Sequence, residues 1–210
     1  MFEGVQEIPL NIQQQDLFDV RVFRFDSKLG LTTDELKWIA ASDELEAETV
    51  YSPLRKLQRL HGTALVAAHF NHPGILARFS NGKPHLLSSG RFVSISHCGE
   101  IIAFASASQP LGIDVHHSSN KTFRVKHKFL NPNELSLCEE DPALYDLFWS
   151  AKEAIYKVFG SGLVFKHIQL EKPLKHKSYF AARIAGRAHQ IKIYYHTFED
   201  FYLCLAMLQH

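Results

Sequence analysis

The sequence predicts an α+β fold. Two observations carry this. Strand patterns come in runs joined by short turns, which suits antiparallel sheets, while helix patterns stand in blocks between the runs. The arrangement also occurs on both sides of Gln109–Pro110, so each half of the chain holds helices and a sheet. The boundary is placed there, giving units 1–109 and 110–210.

Taken in order, residues 19–25 (DVRVFRF) alternate charged and apolar side chains and read as a strand. Thr32 or Thr33 can cap a helix through 35–48 (ELKWIAASDELEAE). Pro53 opens a second helix over 54–70, with Leu54, Leu57, Leu60 and Leu65 broadly on one face and Arg55 and Arg59 together on another. Asn71 and Pro73–Gly74 end it, and residues 75–79, a turn at Asn81–Gly82 and Pro84 make a short hairpin. Two strong strand patterns, FVSISH (92–97) and IIAFASAS (101–108), join at Gly99. A further strand, LGIDVH (111–116), starts after Gln109–Pro110. Short helices are expected at 122–130 and 133–138. A longer helix over 143–159 is opened by Asp141–Pro142 and stopped by Gly160 and Gly162. Four strands fill the rest, at 167–170, 179–186, 188–196 and 201–208.

Charge is balanced at 23 Lys+Arg against 22 Asp+Glu, so nothing global points to nucleic acid or a membrane surface and any anion site must be local. No apolar run approaches the length of a transmembrane helix, and residues 1–16 lack the basic start and apolar run of a signal peptide. Cys98, Cys138 and Cys204 are odd in number and widely spaced, which suits reduced thiols in a cytoplasm. The histidines are scattered and show no zinc-binding spacing.

Three regions carry chemistry. In 148–163 (FWSAKEAIYKVFGSGL), helical spacing lines up Trp149, Glu153 and Lys157, with Tyr156 beside them. A carboxylate one turn from an ammonium can hold a metal or take a proton while the ammonium steadies phosphate charge; by itself, the pair also reads as a surface salt bridge. In GIDVH (112–116), strand alternation puts Asp114 and His116 on one side and Val115 and His117 on the other. In SISHCGE (94–100), Ser94, Ser96 and Cys98 face one way and Ile95 and His97 the other, so Cys98 and His97 cannot form a catalytic pair. Lys83, in NGKP (81–84), sits on a tight turn that leaves its ammonium exposed.

In order and spacing these segments resemble the 4'-phosphopantetheinyl transferase superfamily, specifically its larger, surfactin-synthetase-activating type. That pattern runs GKP, SHS or SHC, GIDIE or GIDVE, then W-x-x-KEA-x-x-K. Here it reads Gly82-Lys83-Pro84, Ser96-His97-Cys98, Gly112-Ile113-Asp114-Val115-His116 and Trp149 to Lys157, with Phe129 to Glu134 resembling the intervening F-x-x-x-E segment. The resemblance covers roughly residues 50–170.

It implies a pseudo-dimer of two similar α+β halves, with coenzyme A in the cleft between them. The activity implied is transfer of 4'-phosphopantetheine from coenzyme A to a serine of an apo-acyl or peptidyl carrier protein. Asp114 and Glu153 would hold Mg²⁺ on the pyrophosphate, and Glu153 would be the base for the serine. Lys157 would steady the phosphate and the leaving adenosine 3',5'-bisphosphate. Coenzyme A contacts would come from Lys83, His97, Lys152 and Arg55 or Arg59, with His97 on the 3'-phosphate. The N-terminal half would bind phosphate and the C-terminal half would hold metal and catalytic groups, all within one monomer. His116 departs from the pattern, standing where the family carries a glutamate; it implies a third ligand favouring Mn²⁺ over Mg²⁺, a water in place of the carboxylate, or loss of activity. The alternatives are a non-catalytic coenzyme A or carrier-protein binder, and a metal-dependent phosphohydrolase.

Overall fold

The computed structural model describes residues 2–10, 17–40, 43, 47–87, 89–160, 162–174 and 176–209. The first half contains strand β1 (Val5–Glu7), β2 (Phe18–Phe25), helix α1 (Thr33–Leu36), α2 (Pro53–His69), β3 (Leu76–Arg78), β4 (Pro84–Leu86), β5 (Phe92–Cys98) and β6 (Ile101–Ala107). The second contains β7 (Leu111–His117), α3 (Asn120–Phe129), α4 (Pro132–Glu140), α5 (Leu144–Phe159), a 3₁₀ turn (Phe165–His167), β8 (Ile168–Leu170), β9 (Tyr179–Ile184), β10 (Gln190–Thr197) and β11 (Phe201–Leu208).

Local chemistry explains most of these ends. Thr32 caps α1 through a reciprocal box with Glu35, and Asn131 does the same for α4 with Glu134. Ser52 caps α2 ahead of Pro53. Of the helix expected over 35–48, the described residues show Thr33–Leu36 and, further on, helical Asp43, Ala47 and Glu48; residues 41, 42 and 44–46 lie outside the described residues. Asp141 closes α4 and also accepts the Ala143 N–H on Oδ1 at 3.3 Å and the Leu144 N–H on its carbonyl at 3.0 Å, where α5 starts. Gly160, at φ +78°, turns the chain out of α5.

The strands form two antiparallel sheets, ordered β1-β2-β6-β5 and β7-β11-β10-β9-β8, plus the β3–β4 hairpin. Both sheets share one plan. The strand ahead of the long helix pairs with the last strand of its half, which forms a hairpin with the strand before it: β2-β6-β5 and β7-β11-β10. The chain is thus a pseudo-dimer, although no repeat is visible in its residues.

Three cores follow from the strand alternation. In the first half, Leu65, Val66 and Phe104 pack α2 on its sheet, while Leu54 at the start of α2 stays exposed. In the second, Phe148, Ala151 and Ile155 of α5 pack on Ile193, Cys204 and Ala206. Between the sheets, Val22, Ile101, Ala103 and Ala105 meet Ile113, Val115, Leu203 and Leu205. The halves also touch along β5 and β7. Their edges are joined by side chains: Ser94 Oγ accepts the Ile113 N–H and Ser96 Oγ accepts the Val115 N–H, each at 3.1 Å.

Candidate active site

The site is built where α5 crosses β7. Gly112 permits the crossing, because a Cβ there would stand 2.1 Å from the Ala154 carbonyl oxygen of α5. Two residues on, Asp114 is buried and meets the same helix. Its Oδ1 accepts bonds from Ser96 Oγ and Lys157 Nζ, both at 2.9 Å. Lys157 also donates to Ser96 Oγ and the Ile113 carbonyl, each at 2.8 Å. Its three N–H donors are therefore spent on protein oxygens.

Glu153 lies one turn before Lys157 and is half-buried. Burial raises its pKa, and the Asp114 charge raises it further; the positive charges of Lys157 and His116 offset this in part. Two carboxylates that repel each other fit a hard divalent cation, which relieves the repulsion. Both hydrogen bonds to Asp114 fall on Oδ1, leaving Oδ2 for such an ion. Mg²⁺ usually takes only one or two protein carboxylates and keeps several waters.

His116 is on the same side of β7 as Asp114, as alternation requires, but it turns to a different partner. Its Nε2 lies 3.1 Å from Asp146 Oδ1 at the start of α5. Asp146 also accepts from Thr122 Oγ1 at 2.6 Å and the Ser119 N–H at 3.2 Å. Burial alone would raise the Asp146 pKa, but the bonds from His116, Thr122 and Ser119 outweigh it and hold the carboxyl below its usual range. An ionised carboxylate only accepts, so Nε2 of His116 carries the proton. Among the described residues no group of three or more His, Cys, Asp or Glu side chains is gathered for a metal. Here His116, expected as a third ligand, is paired with Asp146.

Beside these groups a cavity of about 510 Å³ opens between the halves. Arg55 and Arg59 of α2, Arg78 of β3, Lys83, His97 and Lys157 line it, and among the described residues no carboxylate does. One turn of α2 separates the first two arginines, which puts both on the cleft face. Lys83 does not project into solvent as its turn suggested. It is half-buried and donates to the Val158 carbonyl at 3.1 Å, and burial lowers its pKa. His97 opens into the cavity. Crowding around its ring and the charges of Lys157 and Arg55 lower its pKa to about 4. The ring's exposure makes the two cations the firmer cause, and both agree on a neutral imidazole at pH 7.

Lys152 is a correction. It points away from the cavity and is wholly buried, donating to Glu134 Oε2 at 2.6 Å and to the carbonyls of Phe129, Phe165 and Ile168. Its helix position, adjacent to Glu153, turns it into the core by about 100°. Trp149 packs edge-on against Phe129 at 5.1 Å and is a wall rather than a contact group.

Sequence reasoning missed Arg78, Ser96 and Asp146. Arg78 left no signal, being one basic residue at a strand end. Ser96 had one, since alternation put it beside Ser94 on the face away from His97. Asp146 had one too, lying three residues before Trp149 on the line that leads to Glu153 and Lys157. The three cysteines are free, and burial pushes the Cys98 and Cys138 thiols up to about 12.

Residues 110–206 match the family model described as the 4'-phosphopantetheinyl transferase superfamily. The matched stretch contains Asp114, Glu153 and Lys157; Lys83 and His97 lie outside it. Among solved structures, the chain is similar to Helicobacter pylori holo-[acyl-carrier-protein] synthase in complex with coenzyme A, at 21% identity and a TM-score of 0.39, covering 47% of this chain and 99% of that one. A search of curated proteins finds no match.

Proposed function

We propose that the protein transfers 4'-phosphopantetheine from coenzyme A to a serine of an apo-acyl or peptidyl carrier protein, as a transferase of the larger, surfactin-synthetase-activating type. The observation that carries this reading is a cavity lined by Arg55, Arg59, Arg78 and Lys83, with no carboxylate among its described lining residues, that reaches Lys157, which is bonded to Asp114. Coenzyme A is a polyanion with a pyrophosphate and a 3'-phosphate, and Arg55, Arg59, Arg78 and Lys83 supply the charge to hold it. His97 takes the 3'-phosphate. The first half, 1–109, supplies most phosphate contacts and the second, 110–210, the catalytic groups, so one chain completes the site as a monomer.

Asp114 and Glu153 would hold Mg²⁺, and such an ion would supply charge neutralisation and polarisation at the pyrophosphate. Glu153, with its raised pKa, takes the serine proton directly or through a water. The serine oxygen forms a bond to the phosphorus that carries pantetheine. The bond from that phosphorus to the bridging oxygen breaks, and adenosine 3',5'-bisphosphate leaves with the electron pair. Lys157 keeps a fixed positive charge beside the transfer.

The test is to follow coenzyme A and adenosine 3',5'-bisphosphate with and without an apo-carrier. The reading expects consumption only when the carrier is present. Consumption without it would make the protein a phosphohydrolase, and binding without consumption a non-catalytic binder.

A further inference from the structure

A serine hydroxyl has one proton to donate and two lone pairs to accept with. Ser96 spends all three. It donates to Asp114 Oδ1 at 2.9 Å, and it accepts the Val115 N–H at 3.1 Å and Lys157 Nζ at 2.8 Å. Nothing is left over to let the hydroxyl rotate, and the side chain is 4% exposed. Ser94, two residues earlier on the same face of β5, makes the same kind of bond to the next-but-one N–H of β7, but it does not reach Asp114. Ser94 thus joins the halves at the cavity wall without touching a carboxylate, while Ser96 joins them and also grips one.

We propose that Ser96 is a positioning residue: from the first half of the chain it fixes the Asp114 carboxylate of the second, tying Oδ1 to the seam so that Oδ2 is presented to the divalent cation. This rests on reading Asp114 and Glu153 as the residues that hold the cation. Without the Ser96 hydroxyl, Lys157 alone holds Oδ1, and one ammonium does not set the rotation of a carboxylate as two bonds from different directions do. Lys157 loses one of its three acceptors at the same time. Ser96 therefore acts on the metal through Asp114 and makes metal binding depend on the two halves being correctly docked.

The neighbouring serine gives a matched control. The experiment titrates Mn²⁺ into the coenzyme A-saturated protein and reads free Mn²⁺ by electron paramagnetic resonance, for the parent, Ser96→Ala, Ser96→Thr and Ser94→Ala. Thermal unfolding is recorded beside it. Ser96→Ala and Ser94→Ala each lose one seam bond and are expected to lose similar stability. Ser96→Ala is expected to weaken Mn²⁺ binding about tenfold, as loss of a ligand's supporting hydrogen bond does, with Ser94→Ala within about twofold and Ser96→Thr restoring most of the loss. Equal Mn²⁺ affinity in the two alanine variants, or a parent that binds no Mn²⁺, overturns the proposal. The readout needs no carrier: if the parent binds Mn²⁺ but modifies no carrier, the transfer reading fails while the positioning role stands or falls on the alanine variants.

Discussion

Glu153, the proposed base, shows how a residue poised for proton transfer opposes stability. Its pKa is raised from 4.5, chiefly by burial and then by Asp114. The folded protein therefore binds its proton more tightly than the unfolded chain does. The sign follows: between the unfolded and folded pKa values the native state holds more protons, so this group's contribution to stability falls as pH rises through that window. Glu153→Gln removes the ionised form. The variant is expected to lose transfer by about 10²-fold or more while melting at or above the parent temperature at pH 7. An active variant would reduce Glu153 to a salt-bridge partner, and a marked fall in melting temperature would refute the stability argument. His97 runs the other way. With a pKa of about 4 it is neutral in the empty cavity, and a 3'-phosphate beside it would raise that value. Coenzyme A should then take up protons on binding and bind more tightly as pH falls toward 6, while dephospho-coenzyme A should not. Calorimetry in buffers of different ionisation enthalpy counts those protons; equal uptake for both ligands would remove His97 from the 3'-phosphate. At this scale the sequence was legible where spacing fixes direction. Alternation placed Asp114 and His116 together, and helical spacing placed Glu153 above Lys157. It could not show that His116 turns to Asp146, because that partner lies 30 residues away and is brought near only by α5.

The site depends on how closely α5 lies on β7. Gly112→Ala puts a methyl group into the Ala154 carbonyl, so the helix must move. We expect a loss of about 1–3 kcal/mol or more in urea unfolding, together with a lower transfer rate, since Glu153 and Lys157 move with the helix. A variant as stable as the parent would mean that the contact relaxes freely. Lys152 tests the other side of α5. Lys152→Met strands Glu134, which also accepts the Leu170 and Asn131 N–H groups, in the core. This is expected to cost about 3–5 kcal/mol of stability with little change in coenzyme A affinity per folded molecule. A stable variant with weak coenzyme A binding would restore the binding role first expected of Lys152. Elements themselves were well foreshadowed: Pro53, Asn81–Gly82, Gly99 and Gly160 each mark an observed start or turn. The start of α5 falls one residue after the expected 143, and Asp141 both closes the preceding helix and accepts the Ala143 N–H.

At the scale of the whole molecule, the proposed site lies between two α+β halves. Most cations of the cavity, Arg55, Arg59, Arg78 and Lys83, come from one half, while Asp114, Glu153 and the remaining lining cation Lys157 come from the other. The repeat that creates this cleft is a repeat of topology, β2-β6-β5 against β7-β11-β10, and it left no trace in residue identities. The sequence motifs therefore pointed to the site before the shared plan of the sheets could be seen. No described helix is long and apolar enough to cross a membrane. Intact-mass spectrometry tests the central claim most directly. A panel of apo-acyl and apo-peptidyl carriers is incubated with the protein, coenzyme A and Mg²⁺, and each carrier is weighed and its modified residue mapped. The account predicts that at least one carrier gains the mass of a single phosphopantetheine group on one serine, with an equal amount of adenosine 3',5'-bisphosphate released, and that Glu153→Gln gives neither. Carriers of unchanged mass beside an intact coenzyme A pool would contradict it.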